Sequence, residues 1–104
     1  MLIVDGANYK KEVMESKLPV VLDFFADWCP PCKMYGPSFE SVAGKMGEKA
    51  KFAKVNVDNA KDIALQFGII SIPATVMLKQ GKVIGSIPGA LAESDLEAWV
   101  SGKL

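Results

Sequence analysis

Cys29 and Cys32 are the only two cysteines in the chain, and they stand three residues apart. Such a pair can be a staple, half of a metal site, or a reversible dithiol. A bridge closing so short a loop constrains little of the unfolded chain, so it is a poor staple. A small secreted disulfide scaffold would spread four or more cysteines along its length. Tetrahedral zinc takes four ligands, usually Cys and His, and this chain has no His and no third Cys. Only a zinc site shared by two chains is left on that side, and no metal is expected. Reversible thiol–disulfide chemistry is the favoured reading.

The pair lies in Ala26-Asp27-Trp28-Cys29-Pro30-Pro31-Cys32-Lys33, where an apolar run gives way to a helical pattern. At a helix start, residues i and i+3 are neighbours, and their Cα atoms can reach the roughly 5.5 Å that a disulfide needs. Cys29 falls at the cap position, where a side-chain acceptor receives an N–H from the first turn. The helix N-terminus adds partial positive charge. Both effects favour the thiolate, which is the nucleophile. Cys29 is therefore expected to be the exposed, attacking thiol, and Cys32 the more buried, resolving one. Pro30 offers no N–H, and Pro31 disfavours helical geometry before it, so the helix is expected to begin effectively at Pro31.

The elements around the pair alternate strand and helix. Leu2 to Val4 reads as a short strand, followed by a helix capped by Asn8 with Tyr9 and Val13 on one face. Pro19 to Ala26 is apolar on both faces, as a covered central strand should be. Phe39, Val42, Ala43 and Met46 follow a helical period from Cys29 onward, with Pro37 expected to kink that helix. Lys51 to Val57 alternates like a strand. Asn59 should open a helix ending at Gly68. Ala74 to Lys79 and Val83 to Ile87 read as a hairpin turning at Gln80-Gly81. Ser94 and Glu97 form a capping box for a last helix carrying Leu96, Trp99 and Val100. The order β-α-β-α-β-α-β-β-α predicts an α/β fold: one mixed sheet with helices on both faces.

The 104 residues are half hydrophobic and carry twelve basic and twelve acidic side chains, for zero formal net charge. That length is one domain's worth, residues 1–104, able to bury a core without metals. No basic field draws nucleic acid or anionic lipid. Nothing approaches the ~20 apolar residues of a membrane span, and the N-terminal stretch lacks the order of a secretory signal. A cytoplasmic monomer is expected; a mature chain whose signal has been removed would read the same way.

Within the apolar run, Asp23 shares a strand face with Val21 and Phe25. A buried carboxylate must be protonated or paired. The alternative places it at the strand end, solvated. Trp28, Pro31, Ile70, Ile72, Gly89 and Ala90 are candidates for an apolar groove around Cys29, where an extended peptide would pair with backbone near Ile72.

DFFADWCPPCK, Pro37, AKVNVD around Lys54, ISIPATVML around Pro73, Gly81 and Gly89 together resemble the thioredoxin family along nearly the whole chain. The resemblance implies a thioredoxin fold and reduction of protein disulfides, with no cofactor beyond the Cys29–Cys32 pair. A thioredoxin-reductase-like donor would restore the dithiol. By position, Cys29 is the nucleophile, Cys32 the resolving thiol, Asp23 the buried carboxylate and Lys54 its lysine neighbour. Pro73 matches the proline that follows a cis bond and faces the disulfide. Trp28, Pro31, Ile72 and Gly89 complete the expected substrate surface. Two positions depart from the family: Pro30 replaces the usual glycine between the cysteines, and Phe25 stands where tryptophan is common. Three other readings remain: a dedicated donor to one partner such as a peroxidase, a binding module using the fold as scaffold, and a zinc-bridged dimer.

Overall fold

The run Val20–Phe25 forms the central strand, and the rest of the fold is arranged around it. The computed structural model describes residues 1–104. Strands β1 (Leu2–Ile3), β2 (Val20–Phe25), β3 (Lys51–Asn56), β4 (Ala74–Lys79) and β5 (Lys82–Pro88) make one sheet in the order β1-β3-β2-β4-β5. β3 runs parallel to both β1 and β2, whereas β4 is antiparallel to β2 and β5. Parallel neighbours need crossover connections and antiparallel ones a tight turn. The helix α1 (Pro30–Met46) supplies the crossover from β2 to β3, α2 (Lys61–Gln66) links β3 to β4 on the far side of β2, and α3 (Glu93–Ser101) closes the chain.

Period-2 alternation splits β2 between two cores. Val20, Leu22 and Phe24 pack with Val13, Val55, Ile63 and Ala64 on one side. Val21 packs with Tyr35, Phe39, Val42, Met77, Leu96 and Val100 on the other. The sheet is therefore covered on both faces, as the doubly apolar β2 requires. Each fully buried side chain of this size contributes about 1.5–3 kcal/mol, so the α1 face carrying Tyr35, Phe39 and Val42 fixes the helix firmly to the sheet. The exposed Lys45 of α1 also bridges Glu93 of α3 at 2.8 Å. α1 continues through Pro37 to Met46.

The β4–β5 turn is where expected. Gln80 and Gly81 both have positive φ, 52° and 78°, the backbone of a type I′ hairpin turn.

Three helix starts differ from expectation. Residues 10–14 form a single wide turn, with the Glu15 N–H bonded to the Lys10 carbonyl. Asn8 does not cap it. Its side chain accepts the Asp5 N–H and donates to the Ile3 carbonyl, which closes the loop after β1. α2 starts after Ala60 rather than Asn59, because the Asn56 carbonyl already takes the N–H groups of both residues. α3 is preceded by Ala92, which places Ser94 inside the first turn with no side-chain capping bond. Gly68 follows α2 with φ +67°, as expected of a helix-ending glycine.

Candidate active site

β2 ends at Phe25 and α1 begins at Pro30, so residues 26–29 form the tight bend that presents the cysteines. Cys29 has extended backbone and is the cap of α1; Pro30 and Pro31 occupy the first two helical positions. The helix thus includes Pro30, against the expected start at Pro31, because a proline at the first position has φ already set for helix. The Cys32 N–H donates to Cys29 Sγ at 3.2 Å. Cys29 and Cys32 are disulfide-bonded, with Cα atoms 5.2 Å apart.

Exposure does not separate the two cysteines as expected. Cys29 is 3% exposed and Cys32 4%. The two cysteines cluster with Ala26, and Phe25, Val57 and Ile72 pack against the three. The asymmetry between the sulfurs lies in hydrogen bonding: only Cys29 Sγ receives the helix N–H.

Ile72 reaches Cys29 from the loop before β4, its carbonyl oxygen 3.8 Å from Cys29 Sγ. The Ile72–Pro73 bond is cis. The Pro73 carbonyl accepts the Gly89 N–H at 2.8 Å, and Gly89 has φ +91°. Pro73 is buried, whereas Pro31, Gly89 and Ala90 are exposed. Trp28 and Ile70 are 68% and 98% exposed. An apolar groove holds Trp28, Ile70 and Ile72 with Val57, Ala64 and Ile69. Pro31, Gly89 and Ala90 lie outside it. Sequence reasoning missed Val57 here, and also Asp58, whose carboxylate accepts the Trp28 indole N–H at 2.8 Å. Asp58 lies thirty residues from Trp28, so no local pattern links them.

Asp23 lies on the α1 side of the sheet and is wholly buried, which removes the solvated strand-end alternative. Neither of its oxygens has a hydrogen-bond partner within the protein. Lys54, its register partner on β3, holds Nζ 3.9 Å from Oδ2. Burial pushes the carboxyl up to about 6; the Lys54 cation opposes this and Glu40 adds to it. Lys54 and Glu40 line one crevice with Cys32, Gly36 and Phe25. Gly36 marks where they converge: a Cβ there would lie 3.6 Å from Lys54 Nζ and 3.8 Å from Glu40 Oε2. Lys33, also on the crevice wall, is exposed.

The profile of the thioredoxin family matches residues 1–102. The chain belongs to the thioredoxin family. Thioredoxin 1 of Synechococcus elongatus is 39% identical over 93 residues, 89% of this chain and 87% of the relative. Thioredoxin of Haemophilus influenzae is 36% identical over 101 residues, 97% of this chain and 94% of the relative. Bovine mitochondrial thioredoxin is 39% identical over 98 residues; the match covers 94% of this chain but 59% of that relative's length. With a thioredoxin fold and two cysteines at disulfide distance, the Cys29–Cys32 pair is a site of dithiol–disulfide exchange. Among the helices of this thioredoxin-family chain, none is long and apolar enough to cross a membrane.

Proposed function

We propose that this chain acts as one domain, a Cys-Pro-Pro-Cys protein-disulfide reductase in which Cys29 attacks and Cys32 resolves. The observation that carries the reading is the helix-cap bond from the Cys32 N–H to Cys29 Sγ. It gives one sulfur, and not the other, a donor that favours its thiolate. In the reduced protein the Cys29 thiolate attacks one sulfur of a substrate disulfide. That bond breaks and the second substrate sulfur leaves as a thiolate. Cys32 gives its proton to Asp23 and attacks Cys29 Sγ of the mixed disulfide. The substrate departs with both sulfurs reduced, and the Cys29–Cys32 bond forms. Two electrons and two protons from a thioredoxin-reductase-like donor restore the dithiol.

Asp23 suits the role of proton acceptor because its carboxyl, pushed up to about 6, is basic yet ionised near neutral pH. Lys54 keeps that ionised form accessible. Trp28, Pro31, Ile72, Pro73 and Gly89 would receive an extended substrate segment beside Cys29. A cytoplasmic monomer is the setting that fits this chemistry. The test is reduction of a protein disulfide with dithiothreitol as electron source. The intact protein should accelerate it and Cys29→Ser should not; acceleration by Cys29→Ser would overturn the reading.

A further inference from the structure

The face of the sheet that holds Asp23 contains a second buried polar feature. Thr75 on β4 is the antiparallel register partner of Asp23, so the two side chains stand side by side on one face. Tyr35 comes down onto the same face from α1, one turn after Cys32. Asp23 and Thr75 are 0% exposed and Tyr35 is 1% exposed. The Tyr35 and Thr75 hydroxyls are 2.7 Å apart. A Phe–Val pair would fill similar space without burying two polar groups, which cost free energy unless they are bonded. The pair is therefore a costly choice for packing alone.

Two hydroxyls carry two hydrogens, and the bond between them uses one. When Tyr35 donates, the Thr75 hydrogen is left over. The only buried side-chain oxygens with no partner are the two of Asp23, directly across the strand. No hydrogen bond joins Thr75 to Asp23 in the disulfide form. One bridging water would make that bond as charge develops on the carboxylate, with the Tyr35–Thr75 contact kept.

We infer that the Tyr35–Thr75 hydroxyl pair is a positioning element that supplies a hydrogen bond to the ionised form of Asp23. The other groups facing Asp23 are Lys54 from β3 and Glu40 from α1, one of each sign. From α3, Leu96 and Val100 are buried in this core and the partly buried Trp99 packs against it. The hydroxyl pair is thus the neutral polar contribution to a pocket otherwise set by one cation and one anion. Its importance for exchange rests on Asp23 being the proton acceptor; its effect on Asp23 ionisation does not.

The experiment is a carbon NMR titration of the Asp23 carboxyl in the oxidised protein and in Tyr35→Phe, Thr75→Val and Thr75→Ser. Losing a hydrogen bond to a charged group should raise the Asp23 midpoint by about one pH unit in Thr75→Val, and by less in Tyr35→Phe, which keeps the Thr75 donor but removes the hydroxyl that orients it. The double variant should show little more than Thr75→Val alone, because Tyr35 acts only through the Thr75 hydroxyl. Thr75→Ser keeps the hydroxyl and should titrate like the parent. A midpoint unmoved or lowered in Tyr35→Phe and Thr75→Val, even with stability reduced, would overturn the inference. So would a Thr75→Ser midpoint raised as far as that of Thr75→Val. The exchange rate of Asp23→Asn, measured alongside, separates the two ideas. An undiminished rate removes Asp23 from the mechanism and leaves the titration to decide the hydroxyl pair.

Discussion

Asp23 and Lys54 are register partners on adjacent parallel strands, yet Nζ stops 3.9 Å from Oδ2 and lies 4.8 Å from the centroid of the Phe25 ring. The ammonium is shared between a carboxylate and an aromatic face, and it makes no hydrogen bond to Asp23. Such a cation tunes its neighbour without locking it. A tight buried ion pair would hold Asp23 charged throughout and leave it a poor base.

Lys54→Gln should therefore raise the Asp23 midpoint by about one pH unit or more, because it removes the nearest favourable charge. Exchange should slow most near pH 6 and recover as pH rises. The pH profile of the reduction rate checks this. A profile identical to the parent's would confine Lys54 to packing against Phe25.

Cys32→Ser should accumulate mixed disulfides between Cys29 and substrate proteins, since nothing resolves them. Cys29→Ser should accumulate almost none. Non-reducing electrophoresis followed by mass mapping of the trapped cysteine decides the matter. Trapping through Cys32 would reverse the assignment. Because both sulfurs are buried to the same degree in the disulfide form, the test bears on the cap bond and not on exposure.

The helix start makes Pro31 the informative proline. A cap side chain accepts from the second or third helical N–H. Here the second position is Pro31, so Cys32 supplies the only such donor. Pro31→Ala would add the missing N–H and should lower the Cys29 thiol by about one pH unit. Pro30→Gly, at the first position, should matter less. Thiolate absorbance in the ultraviolet measures both. A Cys29 titration that moves upward in Pro31→Ala would show that ring stiffness outweighs the donor.

Features carried by neighbouring residues were legible in the sequence. The doubly apolar Val20–Phe25 run marked the central strand, Gln80-Gly81 marked the hairpin, and the Cys29 position marked the cap. Helix starts were less legible. Asn8, Asn59 and Ser94 are all good capping types, yet the caps are Tyr9, Ala60 and Ala92. Asn8 ties down the β1 loop, and the Asn56 carbonyl takes over the start of α2. A tertiary or turn bond displaced the local preference in these two cases. The contacts between Trp28 and Asp58 and between Tyr35 and Thr75 span thirty and forty residues. They exist only because the sheet order brings β3 and β4 to either side of β2.

Asp23→Asn should stabilise the protein at neutral pH while slowing disulfide exchange. The folded carboxyl, at about 6, lies above its ordinary value of 3.8, chiefly through burial. A group raised in the folded state contributes its full relative stability below the unfolded value. That contribution is lost as pH climbs through the folded one, because the folded protein holds the proton longer. Above about pH 6 the charged, buried carboxylate is a burden of roughly 3 kcal/mol relative to its acid form. The amide carries no charge and removes that burden, although it too must leave polar atoms unpaired. A net gain of about 1–3 kcal/mol at pH 7.5, shrinking toward zero near pH 4, is the expected balance. Denaturant midpoints at the two pH values measure it. The same variant should reduce a protein disulfide more slowly, since the amide cannot take the Cys32 proton. Stability and rate would then move in opposite directions, which a purely structural aspartate would not produce. A destabilised Asp23→Asn that reduces disulfides at the parent's rate would return Asp23 to an architectural role and leave Cys32 to lose its proton by another route.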